Sequence, residues 1–311
     1  MTALVLGATG LIGSQVRAEL ERRGMDVVGT STTPGRSDLA VDLTDAGQVE
    51  QLVGKLEPEI VVHAAGISSL AEAWAEPARN FEVNATGVLN LLEALRRHTP
   101  DARLVFTSTA AVYGPPEPEA LPFTELAPLR PASPYAAAKA AAEVLCGQYE
   151  REHGMKVTVT RIFNQVGPGQ SPSQAPSEFA REIALAEAAG RDRVKIGVGN
   201  PEAERDFTDA SDTARAIADL AALGRPGTFN LCSGRATSLG EIIRLLGEVT
   251  RLDVSIAARP DHDRPADVRR ITGSAAKLEA ATGWQPRVPL GESLALLLDY
   301  WRTDSIRPHD D

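Results

Sequence analysis

The chain alternates short, continuous apolar runs with longer stretches in which apolar residues recur at helical spacing. Apolar runs at 3–6, 26–30, 59–63, 103–107 and 156–162 predict strands. Amphipathic stretches at 12–23, 47–56, 78–97 and 133–152 lie between them and predict helices. This rhythm predicts an α/β fold, a doubly wound parallel sheet with helices on both faces. It breaks after Asn164, where residues 167–172 read Gly-Pro-Gly-Gln-Ser-Pro, a loop. Beyond it the pattern predicts helices at 177–189, 208–223, 239–250, 274–282 and 291–301, with short strands at 194–198 and 228–231. A smaller C-terminal α/β substrate domain is therefore expected. The first domain would span 1–163, with 208–223 returning to it, and the second 164–207 and 224–311. The polar tail from Thr303 is expected to fray.

Composition narrows the partners. A chain of 311 residues suits one large domain or two closely joined ones, and 43% hydrophobic with 24% charged residues is ordinary for a globular protein. A formal charge of −10 argues against nucleic acid or an anionic membrane as the main partner. It leaves room for a small anionic ligand held by a few local arginines. Cys146 and Cys232 are far apart and have no histidine at ligand spacing, so neither a disulfide scaffold nor a metal site is expected. A reducing cytoplasm is the expected location. The apolar opening runs straight into glycines with no basic leader, which fits a first strand and not a signal peptide. No apolar stretch is long enough to span a bilayer.

Two local patterns carry chemistry. Gly7-Ala8-Thr9-Gly10-Leu11-Ile12-Gly13 falls between the first predicted strand and the first predicted helix. Glycines there permit a tight turn and let the backbone approach a pyrophosphate at a helix N-terminus. Tyr135 and Lys139 stand four residues apart in an alanine-rich, helix-forming stretch, so phenol and ammonium share one helical face. A free tyrosine titrates near about 10, and a neighbouring cation favours its phenolate, which would make it an acid/base catalyst. Alone, the pair would suit an ordinary surface helix. Beside a dinucleotide loop, and with Thr109 just ahead of it, the pair reads as catalytic.

With these motifs the chain resembles the extended short-chain dehydrogenase/reductases that act on nucleotide sugars, over nearly its whole length. The resemblance implies a Rossmann-like fold and an NAD(P) cofactor. Gly7, Gly10 and Gly13, with Thr9, Leu11 and Ile12, match the cofactor loop, and Asp42-Leu43 matches the acidic position that meets the adenine. His63-Ala64-Ala65-Gly66 matches the turn that lies along the cofactor, and Asn84 a structural asparagine of the next helix. Residues 107–114 match the catalytic Ser/Thr segment. Counting back from Val112-Tyr113-Gly114 puts Thr109 in the catalytic place and leaves Ser108 to the backbone or ribose environment. Tyr135, Lys139 and Ile162 complete the implied cofactor contacts. His63 is expected to be a packed histidine, and Tyr113 a packing or sugar-contacting residue.

The C-terminal half implies the substrate class. Arg161-Ile162-Phe163-Asn164-Gln165-Val166-Gly167-Pro168-Gly169-Gln170 resembles a segment of GDP-mannose dehydratases and GDP-4-keto-6-deoxy-mannose reductases. Arg205 and Arg264 lie in segments whose arginines face the nucleotide sugar in the resembled family. A guanidinium presents a planar fork of donors to phosphate oxygens. Thr109, Tyr135, Asn164, Arg205 and Arg264 are thus the implied substrate-binding set. Dehydratases carry acidic or polar residues just after the catalytic threonine, where this chain has Ala110 and Ala111. Dehydration is therefore not expected. The region 29–36 lacks the carboxylate that meets an NAD ribose, and Ser31 with Arg36 would suit a 2′-phosphate, so NADP is slightly favoured over NAD.

The resulting expectation is an NAD(P)H-dependent reductase of a nucleotide-activated 4-keto-6-deoxyhexose, most like the GDP-4-keto-6-deoxy-mannose reductases. A nucleotide-sugar 4-epimerase with tightly held NAD is the alternative enzyme. A non-enzymatic cofactor-sensing protein is the alternative from another class, disfavoured by the intact tyrosine and lysine. The resemblance also implies a homodimer paired through 78–97 and 133–152.

Overall fold

The computed structural model describes residues 1–117, 120–259 and 269–304. The N-terminal half runs β1 (Thr2–Leu6), α1 (Leu11–Arg22), β2 (Asp26–Ser31), β3 (Leu39–Ala40), α2 (Ala46–Leu56), β4 (Ile60–His63), α3 (Leu70–Ala75) and α4 (Pro77–Phe81). It continues through α5 (Gly87–His98), β5 (Arg103–Thr109), α6 (Pro134–His153) and β6 (Lys156–Ile162). The C-terminal half adds β7 (Asn164–Val166), α7 (Ala175–Ala188), β8 (Arg193–Val198), β9 (Glu204–Asp209), α8 (Ala210–Leu223) and β10 (Gly227–Leu231). The remaining elements are β11 (Ala236–Ser238), α9 (Leu239–Glu248), β12 (Asp253–Ala258), β13 (Arg270–Ile271), α10 (Ala276–Thr282) and α11 (Leu290–Asp304).

Seven strands form one sheet in the order β10-β6-β5-β4-β1-β2-β3, and every pair in it is parallel. A parallel strand covered on both faces has no solvent side, which is why β4 and most of β1 read as unbroken apolar runs. Helices α2, α5 and α6 bury Leu52, Leu91, Leu95, Ala142 and Cys146 against one face. On the other, Val16 and Leu20 of α1 and Ile217 and Leu220 of α8 pack on Val5, Val62 and Val105. The strand order reverses between β1 and β4, so the turns after these two strands flank the crevice where doubly wound sheets bind ligands.

A separate core joins α7, α9 and α11 through Phe179, Ile183, Ile242, Leu246, Leu297 and Trp301. Beside it lie two small sheets, β11-β9-β13 with β7 attached to β9, and the parallel pair β8 and β12. A fourth, small cluster of Tyr113, Phe123, Phe163 and Cys232 sits at the end of β5.

Several elements differ from the sequence expectation. The strand predicted at 228–231 belongs to the large sheet, paired with β6, and α10 packs against it and α8. Trp284, grouped by sequence with the second unit, fills the same core as α1 and α8 and donates its indole N–H to the Asp212 carbonyl at 2.9 Å. The helix predicted at 78–97 is broken into α4, a wide π turn at Glu82–Thr86, and α5. At that break the side-chain amides of Asn80 and Asn84 both donate to the Ile67 carbonyl, at 3.1 and 3.0 Å.

Candidate active site

Helix α6, which carries the Tyr135–Lys139 pair, starts where its sequence stops permitting anything else. Ser133 is extended and accepts the Ala136 N–H on its hydroxyl at 3.2 Å, and Pro134 takes the first helical position, where no N–H is needed. The next residue is Tyr135. One turn on, Lys139 is 4% exposed and donates to the Thr107 carbonyl at 2.7 Å, with its ammonium 4.6 Å from the Phe106 ring centre. The hydroxyl of Thr109, at the end of β5, lies beside the Tyr135 phenol and favours its ionised form. The Ala111 N–H donates to the Thr109 oxygen at 3.2 Å, which leaves the threonine proton to be donated elsewhere. Thr109, Tyr135 and Lys139 are therefore gathered at one sheet end, joined by β5.

The electrostatics of this cluster correct one expectation. Burial pushes the Tyr135 phenol up to about 12, and the Thr109 contact offsets only part of that. Lys139 does not hold the phenol down here; its ammonium is turned to the Thr107 carbonyl. Burial also lowers Lys139 to about 8, against the upward pull of Cys146 and Glu143. Desolvation favours the neutral form of each group, and it outweighs their proximity.

The glycine loop is shaped for close approach. Gly7 has φ +77°, and a Cβ there would stand 2.7 Å from the Ala65 backbone, so the turns after β1 and β4 touch. A Cβ on Gly13 would stand 2.0 Å from the Gly7 carbonyl oxygen. Helix α1 starts at Gly10 with no side-chain cap and no acidic residue in its first turn. Its free N–H groups and positive dipole end are a ready anion site. Thr9 and Gly10 are exposed, and Leu11 and Ile12 half-buried.

On the facing turn, Ala64 donates its N–H to Leu6 at 2.9 Å, and Gly66 leaves no room for a side chain beside Asn84. Among the described residues, the buried Asn84 Oδ1 has no hydrogen-bond partner, nor have the ring nitrogens of His63. Burial holds His63 neutral, down to about 3, with the Lys139 charge as the second cause. An uncapped helix end, touching glycine turns and orphaned polar atoms beside Lys139 fit a dinucleotide along this crevice.

Other expected contacts fall differently. The Ser108 hydroxyl is buried and donates to Glu143 at 2.5 Å, which removes it from the groups free to meet a cofactor. Asp42 accepts from the Thr44 N–H and hydroxyl at 2.9 and 2.8 Å, and Leu43 packs in the core beneath α2 and α5. These bonds, the backbone one first, hold the Asp42 carboxyl below its ordinary range. Ser31 is buried and donates to the Thr33 carbonyl at 2.9 Å, while Arg36 is exposed. Asp38, just beyond the region read as lacking a carboxylate, folds back onto the Gly29 N–H at 2.7 Å and pairs with Arg17 at 3.0 Å. Ile162 ends β6 and Asn164 opens β7, exposed.

Tyr113 is 1% exposed, stacked on Phe123 at 4.5 Å and bonded to Asn230 at 2.6 Å, so it packs and does not face a sugar. Arg205 lies on β9 between β11 and β13 and donates to the Glu204 carbonyl at 2.9 Å. The adjacent Asp206 is fully buried and accepts from the Ser233 N–H and hydroxyl and from the N–H groups of Gly234 and Gly273, which pins three segments together around Arg205. Arg264 lies outside the described residues.

A family profile described as GDP-mannose 4,6 dehydratase matches residues 4–296. The chain belongs to that family. It is 36% identical over 247 residues to the GDP-6-deoxy-D-mannose reductase of Pseudomonas aeruginosa, covering 79% of this chain and 81% of that protein. Its fold matches the structure of RMD from Pseudomonas aeruginosa complexed with NADPH, with a TM-score of 0.88, 32% identity and coverage of 97% and 99% of the two chains. It also matches a UDP-glucose 4-epimerase from Thermotoga maritima with UDP-glucose, with a TM-score of 0.86, 30% identity and coverage of 98% and 100%. Family membership places this chain among the nucleotide-sugar oxidoreductases, with the glycine loop and the Tyr135–Lys139 helix on the Rossmann-like sheet just described.

Proposed function

We propose that the protein is an NAD(P)H-dependent reductase of a nucleotide-diphosphate 4-keto-6-deoxyhexose. One observation carries this reading within a family whose profile is named for dehydratases. The hydride-transfer set Thr109, Tyr135 and Lys139 is complete, while the two residues after Thr109 are Ala110 and Ala111 on a 3-10 turn. Methyl groups neither take nor give the protons that eliminating water across a sugar requires.

A bound dihydronicotinamide would supply hydride to the sugar carbonyl carbon. Tyr135 gives its phenolic proton to the oxygen as it gains charge, and Thr109 donates a hydrogen bond to that oxygen. Lys139, anchored on the Thr107 carbonyl, would hold the nicotinamide ribose through its ammonium. Gly7, Thr9, Gly10, Leu11, Ile12 and Gly13 would hold the pyrophosphate at the N-terminus of α1. Ala64, Ala65, Gly66 and Asn84 would line the opposite wall, with Asp42 and Leu43 at the adenine end. NADP is favoured over NAD, because the exposed Arg36 follows β2 and the nearby Asp38 carboxylate is paired with Arg17. Arg205, with Arg264, would take the substrate diphosphate.

The epimerase is kept as a second reading because the Thermotoga maritima relative aligns over nearly the whole chain. A reductase exchanges its cofactor each cycle and purifies largely without it, whereas an epimerase retains NAD and consumes none. Stoichiometric loss of NAD(P)H with a nucleotide 4-keto sugar supports the first reading. Turnover of a nucleotide sugar with no net cofactor consumption overturns it.

We also infer a two-fold homodimer through α3, α4 and α6, which pack on one another and expose Trp74 (64%), Phe81 (49%) and Val144 (64%). No helix among the described residues is long and apolar enough to cross a membrane. A cytosolic setting suits the two buried free cysteines.

A further inference from the structure

Glu143 lies one helical turn beyond Lys139 on α6 and is only 8% exposed. Arg161 on β6 grips both of its carboxylate oxygens, from Nη2 at 2.7 Å and from Nε at 3.1 and 3.2 Å. Ser108 donates its hydroxyl to Oε1 at 2.5 Å. Ser108 sits between Thr107, whose carbonyl receives the Lys139 ammonium, and Thr109, whose hydroxyl meets Tyr135. Three consecutive residues of β5 thus meet three residues of α6 spaced four apart: Tyr135, Lys139 and Glu143. The same guanidinium donates to the Tyr113 hydroxyl at 3.1 Å and the Glu125 carbonyl at 3.2 Å, which ties the helix to the loop packed under Phe123.

A buried ion pair is a poor device for stability alone. Its desolvation cost offsets most of the attraction, and an apolar pair of like volume often does as well. What this pair adds is direction. It fixes α6 along its axis against β5, at the turn next to the lysine.

We propose that Glu143 is a positioning residue for the Tyr135–Lys139 pair, setting the register of α6 on β5. The proposal rests on reading Tyr135 and Lys139 as catalytic. Several groups face Lys139. Its own helix supplies Tyr135, Glu143 and Cys146. β4 supplies the neutral His63, β5 the Phe106 ring and the Thr107 carbonyl, and β6 supplies Arg161 across Glu143. Glu143 is the one carboxylate among them. Burial draws Lys139 down to about 8, and the Glu143 charge opposes that shift.

Three variants test this. Glu143→Gln removes the charge and keeps the shape; Glu143→Asp keeps the charge and shortens the reach. The double change Glu143→Leu with Arg161→Met replaces the ion pair by an apolar one and keeps the test alive if Glu143→Gln does not fold. Lys139 is titrated by carbon-13 NMR in the dinucleotide-free protein, with Lys139→Met for assignment, and kcat and KM are followed with pH. In Glu143→Gln, Lys139 is expected to titrate roughly half to one pH unit lower, and by less in the double variant, which also removes the opposing Arg161 charge. In both, kcat should fall about tenfold with KM and dinucleotide affinity within about twofold. Glu143→Asp should restore the titration but not kcat. An unshifted Lys139 titration in folded Glu143→Gln, or an unchanged kcat in any folded variant lacking the charge, overturns the proposal. Wild-type protein that oxidises no NAD(P)H with a nucleotide 4-keto sugar defeats the reductase reading instead, and the Lys139 titration still decides the role of Glu143.

Discussion

Gly13→Ala is the sharpest test of the glycine loop, and Gly10→Ala is its control. A Cβ at position 13 would sit 2.0 Å from the Gly7 carbonyl oxygen and 2.8 Å from its carbon. Ordinary contact needs more than 3 Å, so the two backbones must part by about 1 Å. Gly7 cannot easily yield, because its N–H is bound to the Thr30 carbonyl at 3.1 Å and its φ is already positive. The start of α1 must therefore move. Overpacking of this kind costs about 1–3 kcal/mol of stability. The displaced N–H groups would lose one or two charge-assisted hydrogen bonds to a pyrophosphate, each about 1.5–3 kcal/mol, which is at least tenfold in affinity. At Gly10 the nearest atom to a new Cβ is the Gly7 oxygen at 3.5 Å, an ordinary contact, and the backbone is extended at φ −79°. Gly10→Ala should melt like the wild type and still bind dinucleotide more weakly, because only the ligand would meet that methyl. Thermal melts with calorimetric titration of NADPH and NAD separate the two. Wild-type dinucleotide affinity in both variants would refute the loop as the pyrophosphate site.

The remaining expectations concern chemistry and substrate. Tyr135→Phe should keep the fold and dinucleotide binding and lower kcat by about 10²–10⁴-fold, the worth of a positioned acid; turnover near wild type removes Tyr135 from the mechanism. Lys139 is lowered to about 8, so its ammonium is present below that pH and lost above it. Because the ammonium is the active form, kcat/KM should fall as pH rises through about 8 in the free enzyme, and a profile flat to pH 10 would contradict this. Arg205→Ala should weaken nucleotide-sugar binding by about one to two decades while leaving dinucleotide affinity unchanged; Arg205→Lys should recover only part of the loss, and undiminished affinity in both variants would rule out the phosphate contact.

What the sequence made legible was local. The glycine triplet and the Tyr135–Lys139 spacing each lie within one turn or one helix, and strands buried on both faces announce themselves as apolar runs. The two- and three-residue strands β3, β7, β11 and β13 are too short to carry a period, and they owe their existence to the partners they pair with. The π turn at Glu82–Thr86 left no mark because the amphipathic pattern runs through it unbroken. Glu143 and Arg161 are 18 residues apart and meet only through the packing of α6 on β6. The i+4 step from Lys139 to Glu143 was the one signal that could have found the pair. Asp38 was missed because its role comes from folding back across β2 onto Gly29.

The sign of the tyrosine shift was the least legible point, and it bears on direction. Spacing alone puts a cation beside a phenol and suggests a lowered pKa, but burial is a property of the assembled fold, and here it prevails. With burial pushing it up to about 12, Tyr135 is protonated across the neutral range, as an unperturbed tyrosine also is, and can give a proton to a substrate oxygen. A reductase needs that state, since its substrate oxygen gains charge. An epimerase must first oxidise a hydroxyl and needs a phenolate to receive the proton. A protonated Tyr135 therefore suits reduction as the first step, and the alanines after Thr109 argue separately against dehydration.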